Sequence, residues 1–267
     1  LASTLPSGSI SFLYFADRIN QLPLALIGIA IGTVLLPKLS REIQCGELEK
    51  AKICQDHALE FGMVLALPAA VGLLVLSQPI ISTLFERGAF SPTAVDATAQ
   101  TLFCYAFGLP AFIIIKVLQP SFFARYDTLT PVKVASFMVL TNLVLNIILM
   151  QYLAHAGLAL ATSITAWLNA AILTFILKQK GLHQHSKKTY VKLVRTFMAS
   201  AVMGMGLLGL IEFAGDSMFG SKNSNIISLA AQILLGLFLY IIPVFLFRVI
   251  RLSEVRQEIK SWVKNNQ

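Results

Sequence analysis

The stretch ISFLYFADRINQLPLALIGIAIGTVLL, residues 10–36, decides how the chain must be read: it is long and apolar, yet it carries Asp17 and Arg18. A hydrocarbon core about 30 Å thick needs about 20 mostly apolar helical residues, and this run exceeds that length. The rest of the chain has the same character. Its 267 residues are 56% hydrophobic and 13% charged, with a mean hydropathy of +0.74, far from the balance of a water-soluble domain. Counting the first window as about 10–37, six more qualify, at about 58–77, 100–124, 132–150, 156–177, 193–213 and 226–250. Helices are the solution for such runs, because each span must satisfy its own backbone in lipid and none shows the period-two alternation of a membrane barrel. The expected fold class is an all-α integral membrane protein with seven transmembrane helices.

Lysine and arginine fall on alternate connections. The stretches 38–57, 124–133, 178–195 and 248–267 hold 17 of the 21, whereas 78–99, 151–155 and 214–225 hold two, and Arg18 and Lys116 lie inside spans. The basic set is expected in the cytoplasm, which puts Leu1 on the outer side and the C-terminus inside. The net charge of +8 is thereby a topology signal and no footprint of nucleic acid. A start at Leu1 rather than Met, with no signal peptide ahead of it, suggests a piece of a longer chain.

Several motifs carry little. Cys45, Cys54 and Cys104 are too scattered for a disulfide framework. His183, Gln184 and His185 sit in the most basic connection without a third metal ligand, so a solvated loop is expected there. GMGLLG at 204–209 fits the dinucleotide fingerprint by letter alone; it lies inside an apolar helix, where small residues permit close helix packing. In the tail 252–267, Leu252, Val255, Ile259, Trp262 and Val263 alternate helically with Arg256, Lys260 and Lys264, as in a helix lying on the cytoplasmic interface, and residues 40–57 are a weaker version of that pattern. No span carries a His/Cys/carboxylate cluster, a GxSxG turn or a paired-carboxylate arrangement, and no phosphate-binding loop is present, so catalysis and ATP-driven transport are not expected.

The charges in the first span require an explanation of their own. At 100° per residue Tyr14, Asp17, Arg18 and Gln21 share one stripe, extended by Ser7 and Ser11 on one side and by Ala25, Gly28 and Gly32 on the other. A face that is polar and then small is costly against lipid, so it should meet a water-filled cavity or another helix. Pro23 removes the hydrogen bond to the Ile19 carbonyl and should loosen the helix beside the charges. Two readings remain open: a substrate-binding face, or an Asp–Arg pair that clamps two helices. Lys116 is a second intramembrane cation, either functional or snorkelling towards the cytoplasmic surface. Asn142, Asn146 and Thr162 offer neutral oxygens that could hold a monovalent cation or bond two helices together.

The strings ADR (16–18), GIAIGTVLLPKLS (28–40), LALPAAVGL (65–73), LFERGAFS (84–91), FFARYDTLTPVK (122–133) and HAGLALATSITAWLNA (155–170) resemble the MurJ (MviN) lipid II flippases of the multidrug/oligosaccharidyl-lipid/polysaccharide exporter superfamily. The resemblance implies about spans eight to fourteen of a fourteen-helix transporter of the bacterial inner membrane. Residues 1–177 would form most of the C-terminal lobe, 178–251 a basic loop and two additional helices that make a groove for a polyprenyl tail, and 252–267 a cytoplasmic tail. It implies alternating access around a cationic cavity against the missing N-terminal lobe, with lipid II carried outward for peptidoglycan, cell wall and cell shape. Membrane lipids would be the other partners, and the membrane potential or an ion gradient the driving force. Arg18 and Asp17 match the family's cavity pair, joined by Tyr14, Gln21 and Lys116 as substrate-binding residues. Asn142 and Thr162 match a sodium site found in some members, beside Asn146. Gln21 stands where relatives have glutamate, and Asn146 where an aspartate can occur. An O-antigen-type flippase or multidrug exporter of the same superfamily, and a non-transporting scaffold of cell-wall assembly, are the rival expectations.

Overall fold

A computed structural model describes residues 5–6, 8–88, 90–181, 186–218 and 226–247, with side chains beyond Glu212 in the sixth helix left aside. The described residues form seven helices joined by short turns: α1 (Ser9–Gln44), α2 (Leu48–Val75), α3 (Ser77–Phe85), α4 (Pro92–Phe123), α5 (Leu129–Gln179), α6 (Lys187–Met218) and α7 (Ile226–Leu246). Six of them, all but α3, are long and apolar enough to cross a membrane. At 51 residues α5 would run about 75 Å if straight, more than twice a bilayer core. It breaks at Ala154 (φ 46°, ψ −123°) and folds back on itself. Asn142 therefore reaches Thr165, and Gly157 lies against Leu149. The two halves of α5 are separate passes, so six long helices supply the seven expected crossings.

The core is built around α4, whose span is 61% buried, against 11% for α5. One face of α4, with Leu109, Ile113 and Val117, packs on Ile27, Ile31 and Leu35 of α1 and Leu59, Met63 and Ala66 of α2. Its other side, with Ala111, Ile115, Leu118 and Phe122, packs on both halves of α5. Small residues set the closest approaches. A Cβ on Gly62 would meet Ile31 and Ile113, each at 2.9 Å, and one on Gly108 would meet the Ser163 backbone at 2.9 Å. Ser163 uses that proximity to donate to the Cys104 carbonyl at 2.6 Å. The α6–α7 pair packs on α2 through Ala199, Met203, Leu207, Tyr240 and Val244. Here two of the three glycines of GMGLLG act as close-packing residues: a Cβ on Gly204 would lie 2.7 Å from Val71 of α2 and one on Gly206 3.1 Å from Leu239 of α7, while Gly209 faces open space.

Two expectations need correction. Residues 40–57 form no separate interfacial helix: α1 runs on to Gln44, a turn with Gly46 at φ 76° follows, and α2 begins at Leu48. Lys50–Glu47 and Lys52–Glu49 pairs, three residues apart, support this first turn of α2 in water. The connection 78–99 is also more than a loop, since it contains α3 and the start of α4, capped by Ser91 Oγ accepting from Ala94 N at 3.3 Å. Contacts between connections respect the alternation of charge. Asp127 pairs with Lys180, and Glu60 with Lys192, at the basic end; Gln78 bonds Asp96, and Phe12 meets His155, at the other. The tail 252–267, His183–His185 and Ser7 lie outside the described residues.

Candidate functional site

α1 continues as one helix through Pro23 and Pro37. Its buried face, Ala16, Asn20, Ile27, Ile31, Leu35 and Leu39, is spent on the core. The opposite face leaves Tyr14, Arg18 and Gln21 exposed, with Asp17 half-buried at the margin. Asp17 and Arg18 do not bond each other. The Asp17 carboxylate accepts from Gln21 Nε2 one turn on. The Arg18 guanidinium lies over the Tyr14 ring, 5.0 Å from its centroid, a cation–π arrangement. Among the described residues neither makes an ion pair. Both contacts stay within α1, so the charged pair ties no second helix.

Lys116 joins this face from α4. Its Cγ, Cδ and Cε lie 3.9, 4.0 and 4.0 Å from where a Cβ on Gly28 would stand, so its stem crosses the small part of the α1 stripe while the residue stays exposed. Gly28 lies ten residues beyond Arg18, about 15 Å along the helix. Two exposed cations thus share one open face, and the absent side chain of Gly28 makes the room for the second. Leu22, Leu26 and Ile29 of α1 flank it at 67%, 76% and 66% exposure, an apolar margin that either lipid or another helix can cover.

The second candidate set is neutral. Asn146 Nδ2 donates to Asn142 Oδ1 at 2.8 Å, and Asn142 Nδ2 donates across the hairpin to Thr165 Oγ1 at 3.3 Å. Thr162 donates to its own helix at Leu158, at 2.9 Å. The structure brings Asn142 and Asn146 together and adds Thr165, which the sequence pattern had not singled out although it lies one turn from Thr162. Asn146 Oδ1 is buried without a partner. That orphaned oxygen and Asn142 Oδ1 are the oxygens that could take a monovalent cation here, whereas Thr162, bonded within its own helix, is joined to them by no hydrogen bond among the described residues. No cluster of His, Cys, Asp or Glu able to hold a metal ion occurs among the described residues.

The FFARYDTLTPVK string closes the basic end of the hairpin. Asp127 accepts from Thr130 N at 3.1 Å and Thr130 Oγ1 at 2.8 Å at the start of α5, and pairs with Lys180 just beyond its end. The Lys180 hydrogen bond, helped by Thr130, holds the Asp127 carboxyl below the usual carboxylate range.

These features define the class: a multi-pass, all-helical membrane protein that leaves one cationic helix face open. Comparison with known proteins places it within that class. Residues 1–227 match the family described as Lipid II flippase MurJ, and the chain belongs to that family. A probable lipid II flippase MurJ of Rhizobium tropici is 37% identical over 256 residues, covering 95% of this chain and 48% of that protein. The probable lipid II flippase MurJ of Vibrio cholerae is 36% identical over 256 residues, covering 96% and 49%. A solved structure of lipid II flippase MurJ in an inward closed conformation aligns with a TM-score of 0.77 at 29% identity, covering 92% of this chain and 48% of that one. The chain spans about half the length of the curated relatives it matches.

Proposed function

We propose that this chain is the C-terminal part of a transporter that moves lipid II across the bacterial cytoplasmic membrane, with Arg18 and Lys116 on the wall of a central cavity. The observation that carries the reading is the open α1–α4 face, where two cations in a membrane span lack carboxylate partners among the described residues. An unpaired intramembrane cation is costly unless something anionic visits it. A diphosphate suits Arg18, whose planar guanidinium stays charged and grips two oxygens at once. Asp17, turned aside by Gln21, tempers the field of the empty site, and Tyr14 holds the guanidinium flat between visits. The function is transport and not catalysis.

The remainder of the face, Leu22, Leu26, Ile29 and the small stripe, is the surface for the other lobe of the same protein, and the substrate path forms between the two lobes. By the charge alternation the basic end is cytoplasmic, with Leu1 outside. In this reading residues 1–177 form the lobe and α6–α7 the groove for the polyprenyl tail. The membrane potential or an ion gradient drives the cycle. Sodium, where it takes part, is held by Asn142, Asn146 and Thr162 and supplies a positive charge between the arms of α5. Complementation tests the proposal: the full-length protein should restore growth and outer-leaflet lipid II in cells depleted of their flippase. Restored growth with no lipid II exposure would point to a scaffold instead.

A further inference from the structure

The contact between α2 and the α6–α7 pair is polar at three levels. At the basic end Asp56, 8% exposed, accepts at 3.3 Å from the backbone N of Ser186, the residue that precedes α6. One turn deeper Glu60 accepts from Thr189 Oγ1 at 2.8 Å and from Lys192 Nζ at 3.0 Å. Two carboxylates on α2 thus face the positive N-terminal end of α6 and its first lysine on that face, where the helix dipole favours negative charge. Deeper still, Pro68 has no N–H to give the Val64 carbonyl, and Tyr240 of α7 donates to it at 2.7 Å. Deeper again, Gly204 brings α6 so near α2 that a Cβ there would lie 2.7 Å from the Val71 side chain. A loose pair of lipid-facing helices would need none of this.

We infer that Asp56 and Glu60 are positioning residues that fasten α6–α7 rigidly to α2, so that the pair travels with the lobe instead of sliding against it. The inference rests on the transport reading above for its consequence: the tail groove and the cationic face move as one body, and head and tail of the substrate are handed over together.

The test uses the full-length protein without native cysteines. In Asp56→Asn with Glu60→Gln, amide exchange over residues 187–195 should rise by about tenfold, as expected when buried charged partners are removed from a helix end. The exchanged pair Glu60→Lys with Lys192→Glu should bring it back. Outer-leaflet lipid II should fall in the neutral double variant at near-normal membrane level. A Val71→Cys and Gly204→Cys disulfide should restore it there and leave it unchanged in the otherwise unaltered protein. Unchanged exchange, or a disulfide that stops transport in the unaltered protein, overturns the inference. If the unaltered protein exposes no lipid II at all, the transport reading falls, and the exchange measurement still decides the attachment.

Discussion

At the scale of residues, Arg18 is the atom-level claim on which the proposed function stands. It stacks on the Tyr14 ring of the same helix and makes no ion pair among the described residues, its electrostatic neighbour Asp17 also lying on α1, so its removal should not loosen the fold. Arg18→Ala in the full-length protein should cut lipid II exposure about 30-fold or more, the cost of losing a desolvated charge contact, with membrane levels near normal. Arg18→Lys should recover little of it, because an ammonium lacks the two-pronged geometry. A helix clamp predicts lower abundance for Arg18→Ala, and recovery of both abundance and transport when Asp17→Asn is combined with Arg18→Gln; a transport-competent double variant would sink the binding role. The charges themselves were legible in the sequence, since an Asp and an Arg inside an apolar run stand out at once. Their partners were less so: adjacency suggested an Asp17–Arg18 pair, but neighbouring side chains on a helix point about 100° apart, and the actual pairs, Asp17–Gln21 and Tyr14–Arg18, are both four residues apart. Lys116 was visible as a cation, and its direction was not, because that depends on Gly28 in another helix.

At the scale of elements, the hairpin in α5 shows what hydropathy can and cannot give. Two apolar windows separated by a few residues imply two passes, and the passes are there; the turn between them rests on Ala154 at φ 46°, a backbone state no apolarity scale senses. Ala154→Gly should stabilise the full-length protein by up to about 1 kcal/mol, because glycine adopts positive φ freely. Gly157→Val should destabilise it by about 1–3 kcal/mol or more, since its Cβ would sit 2.3 Å from the Leu149 carbonyl oxygen. Thermal unfolding in detergent should separate the two in opposite directions. At the other end of the hairpin, Asp127 has a lowered pKa, so its contribution is complete above the ordinary carboxylate pKa and is lost as pH falls through the lower folded value. Asp127→Asn should therefore cost about 0.2–1 kcal/mol at neutral pH, the range of an exposed pair, and should flatten the loss of stability below about pH 4. Among the elements, α3 was not legible: nine residues are too few for a span and fall below the length at which lipid solubility imposes a pattern.

At the scale of the whole molecule, the sequence could show the number and order of passes, but not that α4 would be the buried axis or that one face of α1 would stay open. Those depend on which helix brings Gly62, Gly108 and Gly204 against a neighbour, a tertiary choice invisible to local composition. The side of the membrane is a separate matter, carried by lysine and arginine alone. A cysteine at Ser91 should react with an impermeant thiol reagent outside sealed cells and one at Lys187 should not; the reverse result would invert the whole arrangement. The open face makes the last prediction. A transport path that forms between two lobes cannot exist on one, and α1 exposes Arg18 together with Leu22, Leu26 and Ile29 on the side where the path would lie. Residues 1–267 expressed alone should insert into the membrane, since each long helix satisfies its own backbone, yet should fail to support growth of flippase-depleted cells. Supplying the N-terminal half as a separate chain should restore growth if the two surfaces find each other, and the restoration should weaken with Leu26→Glu, which puts a charge in the apolar margin of that face. Rescue by residues 1–267 alone would mean that the cationic face works without a partner, and the two-lobe cavity would have to be abandoned.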